Sequence, residues 1–152
     1  MSPRTSQDTY TIKQAAALTG LPASTLRYYE SIGVIAPISR GASSKHRVYD
    51  EEDLDQLMWV ACLAATGMSV SDMRQYVTNG QLGPSAAGAQ IELLEAQQQR
   101  LALDAEHLAL RQRYVRLKID YWHAVNAGDI ARAELLSSEA RTLADGLKRA
   151  KQ

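Results

Sequence analysis

The chain has 152 residues, 45% hydrophobic and 22% charged: room for one small domain with an appendage, and a composition that excludes a disordered or membrane-embedded body. Seventeen basic and seventeen acidic residues cancel, which excludes a polycation that coats nucleic acid indiscriminately. A single cysteine excludes an internal disulfide framework; with no apolar N-terminal stretch and no apolar run near the ~20 residues a bilayer requires, the expectation is a soluble cytoplasmic protein that does not engage a membrane.

Residues 1–9 are polar and contain Pro3, and they are expected to form a flexible leader. Ile12, Ala15, Ala16 and Leu18 then recur at helical spacing, Gly20 interrupts them, and Leu26, Tyr29 and Ile32 resume the period until Gly33 ends it. The pattern predicts helix, tight turn, helix. Such a pair can set its second helix in the DNA major groove, although an ordinary helical hairpin gives the same period. Ser24, Thr25, Arg27 and Tyr28 occupy the polar face of the second helix, where hydroxyls and a guanidinium suit phosphates and base edges.

Ile35–Ile38 reads as extended, Ser39–Lys45 as a polar loop containing glycine, and Val48–Tyr49 as a short returning strand. This predicts a hairpin with Arg40, Lys45, His46 and Arg47 near its tip; a surface loop with scattered solvated charge is the alternative. Up to Tyr49 there are six Lys or Arg against Asp8 and Glu30, whereas residues 50–82 carry six acids and only Arg74. The basic charge therefore travels with the predicted helix-turn-helix.

Asp50 opens another helix, with Asp53 in a near capping-box position and acids at the positive end of the dipole. Leu54, Leu57, Met58, Ala61, Cys62 and Ala65 are expected to share a face packed beneath the second helix, with Gly67 as the stop. Ser69 and Asp72 then cap a short helix to about Val77, whose Met73 and Val77 complete the first core. Asn79–Pro84 is rich in turn formers, so the first domain is placed at 10–79 and a linker at 80–88.

Residues 89–126 read as one long helix. From Ile91, steps of three and four fall on Leu94, Gln98, Leu101, Ala105, Leu108, Gln112, Val115, Ile119 and Trp122, and eight of these ten positions are apolar. A helix of ~35 residues reaches ~50 Å, too far for so small a domain to cover, so this seam predicts a second chain. Asn126–Gly128 ends the helix, and Asp129 caps a last amphipathic helix within 127–152 that folds back on the coil.

Leu26-Arg27-Tyr28-Tyr29-Glu30 followed by Gly33-Val34-Ile35, with Ile12-Lys13-Gln14-Ala15-Ala16 ahead of it, resembles the N-terminal motif of MerR-type transcription regulators. The likeness continues through Arg47-Val48-Tyr49, Asp53-Leu54 and Gly67-Met68-Ser69. It implies a mainly α chain: a winged helix-turn-helix DNA-binding domain, a long dimerisation helix forming an antiparallel coiled coil, and a short C-terminal helix. It also implies a homodimer on a pseudo-palindromic operator in double-stranded DNA. The operator lies in an over-long promoter spacer, which the activated dimer bends and untwists so that RNA polymerase engages both elements. With Arg47 carried over as a phosphate contact, the candidate DNA-facing set comprises Thr11, Lys13, Ser24, Thr25, Arg27, Tyr28, Arg40, Lys45, His46 and Arg47. One departure is Pro22, where such regulators have a capping Ser or Thr.

Metal-responsive members of that family bind through cysteines around the long helix, and none follows Cys62 here; His107 and His123 lack partners at ligand spacing. No metal or other cofactor is expected. The segment Cys62-Leu63-Ala64-Ala65-Thr66-Gly67-Met68-Ser69, with Leu117-Lys118-Ile119-Asp120-Tyr121, is similar to the aldehyde- and thiol-stress branch, in which a lone cysteine reacts with an electrophile. Two readings stay open for Cys62: an effector sensor, or an inert core cysteine whose burial slows attack. Tyr114, Tyr121 and Trp122 suit an alternative pocket for an apolar or cationic effector, or simply pin the last helix to the coil. An enzyme is not expected, because Gly-x-Ser-x-Gly, Gly-Lys-Thr and clustered His with Asp are all missing from the sequence. A coiled-coil adaptor that binds protein instead of DNA is the reading from another class.

Overall fold

Thr11 starts the first helix by a reciprocal cap. Its Oγ1 accepts the Gln14 N–H at 3.2 Å, and Gln14 Oε1 accepts the Thr11 N–H at 2.9 Å. In this computed structural model, which describes residues 8–150, that helix is α1 (Ile12–Thr19), followed by α2 (Ala23–Ser31), α3 (Glu51–Ala65), α4 (Val70–Gln81), α5 (Ala87–Asn126) and α6 (Ile130–Ala150). Most of the expected leader, residues 1–7, and residues 151–152 of the last expected segment lie outside the described residues. The chain is mainly α, and among the described residues there is no strand. None of the described helices is long and apolar enough to cross a membrane.

The turn between α1 and α2 depends on Gly20, whose φ of 76° lies in the left-handed region that a side chain disfavours. Pro22 then sets the entry to α2 with φ of −59° and supplies no side-chain cap, the departure visible in the sequence. Asp50 and Asp53 cap α3 reciprocally, at 2.7 and 3.0 Å, and Ser69 Oγ accepts the Asp72 N–H at 3.1 Å to open α4.

Packing divides the chain into two units whose boundary falls inside α5, between Leu94 and Glu95. In the first, Ala15, Leu26, Val34, Tyr49, Leu57 and Val60 are completely buried, and Tyr29, Ile35, Met68, Met73 and Val77 close around them. Removing side chains as large as Leu26 and Leu57 from water stabilises the unit by roughly 1.5–3 kcal/mol each. The buried face of α3 is Leu54, Leu57 and Val60, with Leu63 and Ala64 half-buried beside them. The expected face was rotated from this one: Leu54 and Leu57 belong to it, but Met58, Cys62 and Ala65 are exposed and Ala61 is only half-buried.

The segment from Ile38 to Tyr49 departs from the expected hairpin of strands. Arg40 and Arg47 form one antiparallel bridge, and Val48 N–H reaches Ser39 O at 2.8 Å. Tyr49 then leaves this partner and pairs with Tyr10 through bonds of 2.8 and 2.9 Å. Because Tyr49 changes partner and Pro37 has no N–H to donate, no ladder develops.

α4 runs through Gly80 to Gln81, and a 3₁₀ turn at Gly83–Ala86 leads into α5, where a linker at 80–88 was expected. Asn79, on α4, is buried among amides. Gln75 Nε2 donates to its Oδ1 at 2.8 Å, its Nδ2 donates to Gln90 Oε1 at 3.1 Å, and Gln90 Nε2 donates to Tyr76 O at 2.8 Å.

In the second unit, Asp129 N–H bonds Ala124 O at 2.9 Å and Gly128 N–H bonds Val125 O at 3.1 Å, the double closure of a Schellman cap. Asp129 Oδ1 then accepts the Arg132 N–H at 3.1 Å, as the capping pattern predicts. Leu117 and Ala124 of α5 pack with Ala133, Leu136 and Ala140 of α6.

Candidate nucleic-acid interface

A cleft of about 410 Å³ opens beside the head of α1, the outer face of α2 and the loop between Arg40 and Arg47. Thr11, Lys13, Arg27, Arg40, His46 and Arg47 line it. Each arrives there for a local reason. Capping puts Thr11 and Lys13 at the start of α1, Arg27 lies on the face of α2 opposite buried Leu26 and Tyr29, and the backbone bridge places Arg40 against Arg47.

The loop is held tightly. Gly41 N–H bonds His46 O at 2.9 Å, Lys45 N–H bonds Gly41 O at 3.0 Å, and Arg40 Nη1 reaches Lys45 O at 3.4 Å. Lys45 adopts a left-handed φ of 58° to close this turn, and a Cβ at Gly41 would stand 2.6 Å from Ser44 Oγ. Arg47 is not a loose phosphate hook: its Nε–H donates to Glu30 Oε1 in a largely sheltered ion pair. Glu30 Oε2 also accepts the Ile38 N–H at 2.9 Å. Burial pushes the Glu30 carboxyl upward, but the Arg47 bond, the Ile38 bond and the charges of Arg47 and Arg40 outweigh it and hold the group below the ordinary glutamate value. Tyr49 is fully buried, its hydroxyl has no hydrogen-bond partner, and desolvation raises its pKa.

Ser24, Tyr28 and Lys45 are exposed and Thr25 is half-buried, but none of them lines this cleft. Thr9, Tyr10 and Ser44 do line it and were not singled out in the sequence. Tyr10 carried a usable signal, as a β-prone aromatic directly ahead of a capped helix and free to pair with Tyr49. Lys13, Arg27, Arg40 and Arg47 stand around one concavity with hydroxyls between them, a donor set whose chemistry suits oxyanions.

Cys62 is exposed, so it is not the core cysteine that its apolar surroundings suggested. Tyr114, Tyr121 and Trp122 are divided between two recesses. Tyr114 and Trp122 line an open groove of about 480 Å³ on α5, whereas Tyr121 lines a recess of about 290 Å³ with Val125, Ile130 and Ala133. The Tyr121 and Trp122 rings meet edge-on at 5.2 Å, and Tyr114 and Tyr121 pack against the Leu117–Leu136 cluster. The seam positions are uncovered along the whole helix: Ile91 and Leu94 are exposed in the first unit, and Leu101, Leu108, Val115, Ile119 and Trp122 in the second.

The sequence and the fold are similar to those of known proteins. A family model described as MerR HTH family regulatory protein matches residues 10–85. The chain is 38% identical over 90 residues to the HTH-type transcriptional regulator AdhR of Bacillus subtilis (strain 168), a match that covers 59% of this chain and 64% of that protein. It thus spans less than two thirds of that relative's length. To YyaN of the same organism, an uncharacterized HTH-type transcriptional regulator, it is 30% identical over 129 residues, covering 76% of this chain and 92% of that protein. Among solved structures, HiNmlR, a MerR family regulator lacking the sensor domain and bound to promoter DNA, superposes with a TM-score of 0.66 at 25% identity, covering 85% of this chain and 96% of that one.

Proposed function

The chain belongs to the MerR family of helix-turn-helix regulatory proteins, and on that premise we propose that it is a dimeric transcription regulator that binds and distorts a pseudo-palindromic promoter operator. The observation that carries this reading is the cleft in which Lys13, Arg27, Arg40 and Arg47 converge with Thr11 and His46. Their cations neutralise phosphates on either side of the groove that α2 enters, with exposed Ser24 and Tyr28 and half-buried Thr25 toward base edges. The similar HiNmlR structure, with its promoter DNA, supports the choice of duplex over a protein partner. RNA polymerase takes part indirectly, by engaging the promoter that the dimer has reshaped.

The exposed seam from Ile91 to Trp122 supplies the dimer contact, an antiparallel coiled coil in which each helix covers the other's apolar stripe. Cys62 is the proposed effector site, and its exposure supports access by a small aldehyde. Its sulfur adds to the carbonyl carbon while the carbonyl oxygen takes up the thiol proton, so a neutral thiohemiacetal forms with no other reactant.

Filter binding of the whole protein to random duplex across a potassium chloride series tests the reading. The expected result is an affinity whose logarithm falls linearly with the logarithm of salt, by about 0.9 per phosphate neutralised. Absence of binding at low salt, or affinity indifferent to salt, overturns it.

A further inference from the structure

Glu30 is an acidic side chain beside a cationic cleft, where a bare carboxylate would repel the phosphates that the cleft is proposed to bind. Its two oxygens are nevertheless both engaged, and by opposite ends of the same loop. Ile38, where the chain enters the loop, gives its N–H to Oε2 at 2.9 Å; Arg47, where the chain leaves, gives its Nε–H to Oε1. Arg47 is also bridged through its backbone to Arg40. A single carboxylate on α2 therefore fixes both arms of the loop, and with them two of the four permanent cations of the cleft. The side chains are sheltered, at 12% exposure for Glu30 and 19% for Arg47, so water competes weakly for the pair.

We propose that Glu30 is a positioning residue for DNA binding. It locks Arg40 and Arg47 in place relative to Arg27 on the same helix, so that the cations meet successive phosphates without first being ordered. The inference rests on the DNA-binding reading above. The Arg47 guanidinium spends only one of its five N–H groups on Glu30, and the charge-assisted bond removes rotamer freedom that binding would otherwise have to remove.

The two possible roles of Glu30 predict opposite signs. If the carboxylate only repels phosphate, Glu30→Gln tightens binding; if it positions the loop, the same change weakens it. The probe is a labelled random-sequence duplex of ~30 base pairs, titrated with the full-length protein by fluorescence anisotropy over several potassium chloride concentrations. Expected for Glu30→Gln is a loss of about ten-fold in affinity, with a salt slope shallower by about one contact. Arg47→Gln should cost less in that background than in the wild type, because the two residues act together. Binding as tight as wild type or tighter, or costs that simply add, overturns the proposal. A change that only lowered the folded fraction would leave the slope unmoved and likewise overturn it. Should Glu30→Gln not fold, Arg47→Lys carries the test: it keeps the charge and the Ile38 bond but loses the Nε–H, so the same loss is expected and wild-type affinity overturns the proposal. Failure of the underlying reading looks different, since the wild-type protein would then show no salt-dependent affinity at all.

Discussion

Asn79 Nδ2 donates to Gln90 Oε1 at 3.1 Å, joining the end of α4 to the first turn of α5 inside the first packing unit. Both partners are otherwise engaged, Asn79 with Gln75 and Gln90 with the Tyr76 carbonyl, so the amides form a closed relay. Truncating Asn79 to Ala removes the partner of the half-buried Gln90 Oε1, whereas the exposed Gln75 amide can turn to water. Asn79→Ala is expected to destabilise the first unit by about 1–3 kcal/mol. Gln90→Ala should cost less on top of it than alone, as measured by urea unfolding of the single and double variants.

Arg27 stands on the exposed face of α2 and lines the cationic cleft. Arg27→Ala is expected to weaken binding to all duplexes alike and to lower the salt slope by about one, the signature of a lost phosphate contact. An unchanged slope removes Arg27 from the interface.

Leu101 and Leu108 are 42% and 50% exposed on a helix of 40 residues, which spans about 60 Å. Changing both to Lys is expected to give monomers in sedimentation equilibrium and to weaken operator binding. A retained dimer places the contact on another face.

Glu30 makes stability depend on pH in a definite direction. Its carboxyl lies below its ordinary value of 4.5, so the folded chain binds the proton less tightly than the unfolded one. The stabilisation is present above that ordinary value and is lost as pH falls through the folded-state value. Asp53 works in the opposite sense. Burial, with help from the neighbouring Asp50 charge, raises its carboxyl, so its cost is relieved on acidification. Glu30→Gln should therefore be less stable than wild type at pH 6, with the gap closing toward pH 3, as followed by thermal melts; a gap constant with pH contradicts the assignment.

Much of the site was legible because local rules set it. The cap at Thr11, the turn at Gly20 and the apolar period through Leu26 and Tyr29 follow from nearest neighbours, and they put Lys13 and Arg27 where they are. What was not legible depended on distant partners. From Leu57 to Ala65 the sequence is nonpolar at every position, so a helical period cannot say which arc faces inward, and Cys62 came out on the wrong side. The exchange of partners that draws Tyr49 to Tyr10 is a pairing across 39 residues of chain, and it dissolved the expected strand at Val48–Tyr49. The engagement of Arg47 by Glu30 is of the same kind, invisible until both ends of the loop are in place.

The solvent-facing sulfur of Cys62 has a practical consequence, because it is the sole thiol in the sequence. One maleimide or nitroxide attaches per chain with no engineered residue to add and none to remove. Pulsed dipolar spectroscopy on the spin-labelled protein then reads a single inter-label separation if the proposed two-fold dimer forms, and a shift in that separation when duplex is added reports rearrangement of the pair directly.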